Sequence, residues 1–124
     1  NMLYDIQPEI VTQIEKSQYI LINEGQFFTD LYDWVIDKLN NHNKHIYISG
    51  LDGDFKKIKF GHMLDLIPHC DEVVKLHAFC TQCKNGTKAI FSHRTIANNT
   101  QVLIGENETY ISLCRNCYKL KNSI

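Results

Sequence analysis

Proline and glycine are scarce in this chain, two and six of its 124 residues, which excludes a collagen-like repeat or a Pro/Gly-rich low-complexity segment. Net charge is scarce too. Thirteen Lys and Arg against 14 Asp and Glu leave −1 at pH 7, so the broad basic face of a nucleic-acid or membrane-surface protein is missing. No apolar run approaches the roughly 20 residues of a membrane-spanning helix, and no N-terminal stretch has the make-up of a secretory signal. What remains is a globular composition, 44% hydrophobic and 22% charged, sized for one ordinary domain or a core with a small appended module. The expectation is a soluble chain in a reducing, cytoplasmic compartment, with no nucleic-acid or membrane partner. Its first residue is Asn1, not methionine, which suggests a piece of something longer.

The chain is organised around residues 19–28, YILINEGQFF. Tyr19, Ile20, Leu21 and Ile22 form an apolar, β-branched run without alternation, the pattern of a strand buried on both faces of a parallel sheet. In such sheets the ligand crevice lies beyond the carboxyl ends of the strands, so Glu24 is either a general base at the mouth of a site or simply the start of a polar loop. Before it, Gln7-Pro8-Glu9 opens a helix that runs to about Ser17. After it, Thr29 and Asp30 offer an N-cap to a second helix with Leu31, Trp34, Val35 and Leu39 on one face, ended by residues 40–43. Residues 45–51 read as a second buried strand, and strand, helix and strand together predict a βαβ unit with parallel strands. Lys56, Lys57 and Lys59 suggest a solvated loop face, residues 63–67 a short core-facing helix, and residues 73–79 a third strand. From Cys80 onward short β-like pieces at 89–92, 101–104 and 110–113 alternate with polar turns.

Cys80-Thr81-Gln82-Cys83 and Cys114-Arg115-Asn116-Cys117 are two C-x-x-C pairs. Each can form one knuckle, and four thiolates complete the closed tetrahedral set of a structural zinc site. Two disulfides or a redox pair are the alternatives, both disfavoured in a chain without secretory features and with two such motifs. His77 and His93 flank the first pair and could replace a ligand. Cys70 reads as a small core residue, and His42, His45, His62 and His69 as ordinary surface or loop residues.

In series, these residues resemble the type II thymidine kinase family, the zinc-containing cellular and poxviral-type enzymes. Asn23-Glu24-Gly25-Gln26-Phe27-Phe28 is similar to the family's D-E-G/A-Q-F-F segment, and Leu51-Asp52-Gly53-Asp54-Phe55 to its L-D-G-x-F loop. Leu66-Ile67-Pro68, Val74-Lys75-Leu76, Phe91-Ser92-His93-Arg94, the run from Gln101 to Gly105, Tyr110 and the C-R-x-C-Y ending at Tyr118 follow in the same order. The resemblance implies an α/β fold: a P-loop (RecA-like) parallel sheet flanked by helices, here without its first strand and P-loop, in residues 1–78. Residues 79–124 would be a small zinc ribbon carrying a lid, or lasso, loop.

The resemblance also implies transfer of the γ-phosphoryl group of ATP to the 5′-hydroxyl of thymidine, with dTTP as a feedback inhibitor and a homo-tetrameric assembly. Glu24 would be the general base, and Asn23, Glu24, Gly25 and Gln26 would lie at ATP and Mg²⁺. Phe27, Leu51, Phe55 and Phe60 would wall the base pocket. Ser92, Gln101, Val102, Leu103, Ile104, Gly105 and Tyr110 would meet the nucleoside, the lid through main-chain groups. Zinc at Cys80, Cys83, Cys114 and Cys117 would be structural.

Three departures from the family pattern stand out. Asn23 replaces an aspartate that helps hold Mg²⁺, a neutral amide in place of the hard anionic oxygen this ion prefers. Glu106 stands where a second glycine usually follows Gly105, restricting the lid. No G-x-x-x-x-G-K-[ST] occurs anywhere, and Gly86-Thr87-Lys88 lacks its spacing; in the family that phosphate-binding loop lies upstream of the present first residue. The chain is therefore expected to be part of a thymidine kinase or, alternatively, a truncated, non-catalytic nucleoside-binding or interaction module of the same family.

Overall fold

The computed structural model of the chain describes residues 1–104 and 109–122. They pack as two compact units, Asn1–Asp52 with Lys59–Asp71, and Gly53–Ile58 with Glu72–Ile124.

In the first unit, helix α1 (Pro8–Lys16) begins with proline at its first position and closes with the Ser17 N–H donating to the Ile14 carbonyl. Strand β1 (Tyr19–Ile22) lies parallel to β2 (His45–Ile48), with Tyr19 opposite His45 and Ile22 opposite Ile48. Helix α2 (Leu31–Asn41) connects them, so the expected βαβ order is present. Leu31, Trp34 and Val35 form its buried stripe and, with Leu3, Ile20, Ile22 and Leu66, make the core. Leu31 is 0% exposed.

Asp30 precedes α2 without capping it; its carboxylate instead accepts the N–H groups of Leu3 at 2.7 Å and Tyr4 at 2.8 Å, pinning the N-terminal segment. A 3₁₀ turn at Leu64–His69 supplies Leu66 to the core, while Leu64 and Ile67 stay exposed.

Three expectations are corrected here. β1 is not buried on both faces: Ile20 and Ile22 point into the core, whereas Leu21 is 78% exposed. Strand residues alternate between faces, and only the face toward α2 is covered among the described residues. The P-loop parallel sheet that the resemblance implies, without its first strand, is reduced among the described residues to the two short strands β1 and β2. Cys70 is exposed rather than a core residue; its thiol donates to the Leu66 carbonyl at the end of the 3₁₀ turn.

The second unit is built from short antiparallel pairs. β3 (Ala78–Phe79) pairs with β4 (Lys88–Ala89), and β5 (Phe91–Arg94) with β6 (Tyr110–Leu113). Helix α3 (Arg115–Asn122), which the sequence reading does not anticipate, follows the second C-x-x-C pair. Cys80, Ala89, Leu113, Cys114 and Tyr118 form the core, with Leu113 0% exposed.

The third strand expected at residues 73–79 shrinks to Ala78–Phe79, because only these two find ladder partners; Val73, Val74 and Leu76 are exposed. The piece expected at 89–92 divides around Ile90. Residues 101–104 are a loop, not a strand: the carbonyls of Gln101 and Leu103 are taken by side chains. Lys57 is not merely solvated, since its ammonium sits over the rings of Phe91 and Tyr118.

Candidate functional site

At the end of β1 the backbone turns sharply. Glu24 is left-handed, φ 56° and ψ 48°, a conformation uncommon for a residue with a Cβ and concentrated at functional sites. The turn is held by the Gly25 N–H, which donates to the Ser49 carbonyl at 3.0 Å and extends the β1–β2 ladder past both strands. Gln26, 5% exposed, directs its side chain back over this turn. Its Nε2 donates to the Glu24 carboxylate at 2.7 Å, and its Oε1 accepts the Leu51 N–H at 3.1 Å.

Two glycines make room for Gln26. A Cβ on Gly50 would meet Oε1 at 2.5 Å, and one on Gly61, where φ is +59°, would run into the Gln26 main-chain oxygen. Phe60 packs edge-to-face on Phe27, ring centres 5.7 Å apart. Of the residues singled out in the sequence, Glu24, Gly25, Gln26, Phe27, Leu51 and Phe60 are thus gathered in the first unit. Asn23 is engaged otherwise: its Oδ1 accepts the Ser49 hydroxyl at 3.0 Å. A neutral amide oxygen so occupied is a poor substitute for the anionic ligand Mg²⁺ prefers.

In the second unit Phe55, Gln101, Leu103 and Tyr110 come together around a residue to which the sequence reading gave no role, Arg94. Its guanidinium lies 3.7 Å from the Phe55 ring centre and 5.2 Å from that of Tyr110. Nη1 donates to the carbonyls of Asn98 and Thr100, and Nη2 to the Gln101 carbonyl at 3.0 Å and the Tyr110 hydroxyl at 2.7 Å. The Tyr110 hydroxyl in turn donates to the Leu103 carbonyl at 2.8 Å. Gln101 Nε2 donates to the buried Asp54 carboxylate at 2.9 Å. Ser92 faces Ser112 across the β5–β6 pair, and Val102 and Ile104 expose their side chains. Gly105 and Glu106 lie outside the described residues. In the sequence Arg94 enters only as the last residue of the Phe91-Ser92-His93-Arg94 segment, which does not reveal its ring partners.

The four cysteines of the two C-x-x-C pairs converge in this unit. Their Sγ atoms all lie within 4.8 Å of one another, and Cys83 Sγ is 3.9 Å from that of Cys114 and 3.6 Å from that of Cys117. Zn–S bonds of about 2.3 Å in a tetrahedron put sulfurs roughly 3.8 Å apart, so the set fits a zinc ion. All four are free thiols, not disulfides.

Main-chain N–H groups, Cys114's first and then those of Cys83 and Gln82, pull Cys80 down to about 6. Hydrogen bonding to the neighbouring thiols, Cys83 first, pushes Cys117 up to about 12. Crowded thiols that ionise only one after another are a set that a cation completes. His77 and His93 are not in the cluster. His77 bonds the Ala78 carbonyl, and His93 lies against Tyr118 and Asn122.

A family model described as thymidine kinase matches residues 3–118. The chain is 48% identical to a thymidine kinase of Bacteroides fragilis over 98 residues, 79% of this chain and 48% of that protein. It is 40% identical over 104 residues to one from Oryza sativa subsp. japonica, 84% of this chain and 38% of that protein. With a Monkeypox virus thymidine kinase it shares 37% over 110 residues, 89% of this chain and 60% of the viral protein. The chain spans about half the length of the curated relatives it matches.

Proposed function

This chain belongs to the thymidine kinase family, and from that premise we propose that it is part of an enzyme that moves the γ-phosphoryl group of ATP to the 5′-hydroxyl of thymidine. The observation that carries the reading is Glu24, held at the end of β1 by the Gln26 amide. A carboxylate so oriented can accept the hydroxyl proton while the attacking oxygen closes on phosphorus. Phe27, Leu51, Phe55 and Phe60 supply apolar and aromatic surface of the kind a flat base takes. Ser92, Gln101, Val102, Leu103, Ile104, Gly105 and Tyr110 serve the nucleoside, the lid through its main chain. The phosphates of ATP require a P-loop ahead of residue 1. In this reading residues 1–78 are the C-terminal part of the kinase domain, and residues 79–124 the zinc-held ribbon and lid. The working form is a cytoplasmic homo-tetramer open to inhibition by dTTP.

Zinc supplies cross-linking, not chemistry: Cys80, Cys83, Cys114 and Cys117 would hold it and so fix the ends of the segment that carries Arg94 and Tyr110. The direct test is transfer of labelled γ-phosphate to thymidine by the protein carrying its P-loop segment. Label in dTMP supports the proposal, and its absence with intact zinc and bound thymidine refutes it. A second reading, a non-catalytic nucleoside-binding module, is favoured by one observation, the Asn23 amide turned to Ser49. Asn23→Asp separates the two. An active enzyme with a weakened metal site gains rate at low Mg²⁺; a non-catalytic module gains none.

A further inference from the structure

Residues 98–104 join no strand, yet their course is fixed. The carbonyls of Asn98, Thr100 and Gln101 are taken by one guanidinium, that of Leu103 by the Tyr110 hydroxyl, and the Gln101 side chain by Asp54. Asn99, Val102 and Ile104 have main-chain groups with no partner among the described residues, and of these Val102 and Ile104 lie in the part of the stretch that follows the Gln101 carbonyl held by Arg94. Resting on the reading that this segment meets the nucleoside, we propose that Arg94 is the positioning residue that sets the segment's backbone and leaves the Val102 and Ile104 main chain free to bind the base.

The guanidinium is set up for that role at a cost that a merely structural residue would avoid. Arg94 is 5% exposed and has no ion-pair partner among the described residues, and its buried Nε has no acceptor there. A buried charge without a counter-ion is expensive. Two ring faces and four oxygen acceptors offset it. A planar fork can reach those acceptors while lying against the Phe55 ring; an ammonium has three donors and no plane. The carboxylate of Asp54, which might have paired with it, is committed to the N–H groups of Lys56 and Ile58 and to Gln101.

The experiment compares Arg94→Lys and Tyr110→Phe with the wild type in the full-length protein, with zinc content as the check on folding. Amide hydrogen exchange is followed without ligand, and thymidine binding by calorimetry. Arg94→Lys should keep its zinc, raise exchange at residues 98–104 but not in β5 and β6, and weaken thymidine binding by about tenfold or more. ATP KM and the rate at saturating thymidine should stay near wild type. Tyr110→Phe, which keeps the ring and loses only the hydroxyl, should shift both readouts the same way by less; it decides the matter if Arg94→Lys does not fold. Unchanged exchange at 98–104 overturns the proposal, as does faster exchange with unchanged thymidine affinity. A wild-type protein that does not bind thymidine at all would instead overturn the nucleoside reading itself, with exchange at 98–104 still deciding whether Arg94 sets the segment.

Discussion

Gln26 donates from Nε2 to the carboxylate of Glu24 at 2.7 Å. The same amide accepts the Leu51 N–H, so one side chain ties the loop that leaves β1 to the loop that leaves β2. Gln26→Leu keeps the volume and removes both bonds. Because a misplacement of about 1 Å can cost on the order of 10²-fold, turnover should fall by about that factor while thymidine affinity changes little. Steady-state kinetics with calorimetric binding check the split.

Gly61→Ala and Gly86→Ala should differ although both positions have positive φ, +59° and +84°. A left-handed non-glycine residue costs about 1–2 kcal/mol. Gly86 has open space around it, so that cost should be the whole effect. At Gly61 the new methyl also strikes the Gln26 main chain, so the loss should exceed it. Urea midpoints of the two variants measure the difference.

Metal analysis should find one zinc per chain, and chelation should unfold the second unit while α1, α2 and the β1–β2 pair keep their protected amides. The reason is compositional: the second unit's core is largely the cysteines themselves with Ala89, Leu113 and Tyr118. Zinc binding in such sites is worth on the order of 10 kcal/mol of folding free energy. Any of Cys80, Cys83, Cys114 or Cys117 changed to Ser should do the same. Sub-stoichiometric metal in freshly prepared, folded protein would contradict this.

Acid should destabilise the second unit by two routes with the same sign. The four thiols must lose their protons to hold zinc as thiolates, so protons compete with the metal as pH falls. Burial, and then the charge of Lys121, hold His93 below its ordinary 6.5. The unfolded chain therefore takes up that proton first, and stability is lost as pH drops through about 6.5. Melting curves from about pH 7.5 to about pH 5.5 should show a falling midpoint, less steep in His93→Asn.

Much of the fold was legible because it is local. The stripe Leu31, Trp34, Val35 and the proline of α1 report helices directly, and the two C-x-x-C pairs report a cluster whose geometry then holds. What was not legible depends on partners distant in sequence. Leu21 and Ile22 look alike in the chain and differ only in which face α2 covers. Residues 73–77 look like a strand and lack a ladder. Residues 101–104 look like one and have their carbonyls bound by Arg94 and Tyr110. The short helix α3 follows Cys114, in a stretch whose cysteines and charges mask any helical stripe. The place of Glu24 after a strand is visible in the sequence, whereas the bond from the Gln26 amide to its carboxylate depends on a side-chain orientation that the sequence does not show.

If Glu24 is the base of a thymidine-phosphorylating site, Glu24→Gln in the protein with its P-loop removes the proton acceptor and little else. The substitution keeps the shape and cannot accept the proton. A general base contributes typically about 10²–10⁴-fold, so turnover at saturating ATP and thymidine should fall by that order with thymidine affinity nearly unchanged. A Glu24→Gln enzyme that keeps most of its turnover would mean that Glu24 is not the base but a residue of the loop after β1.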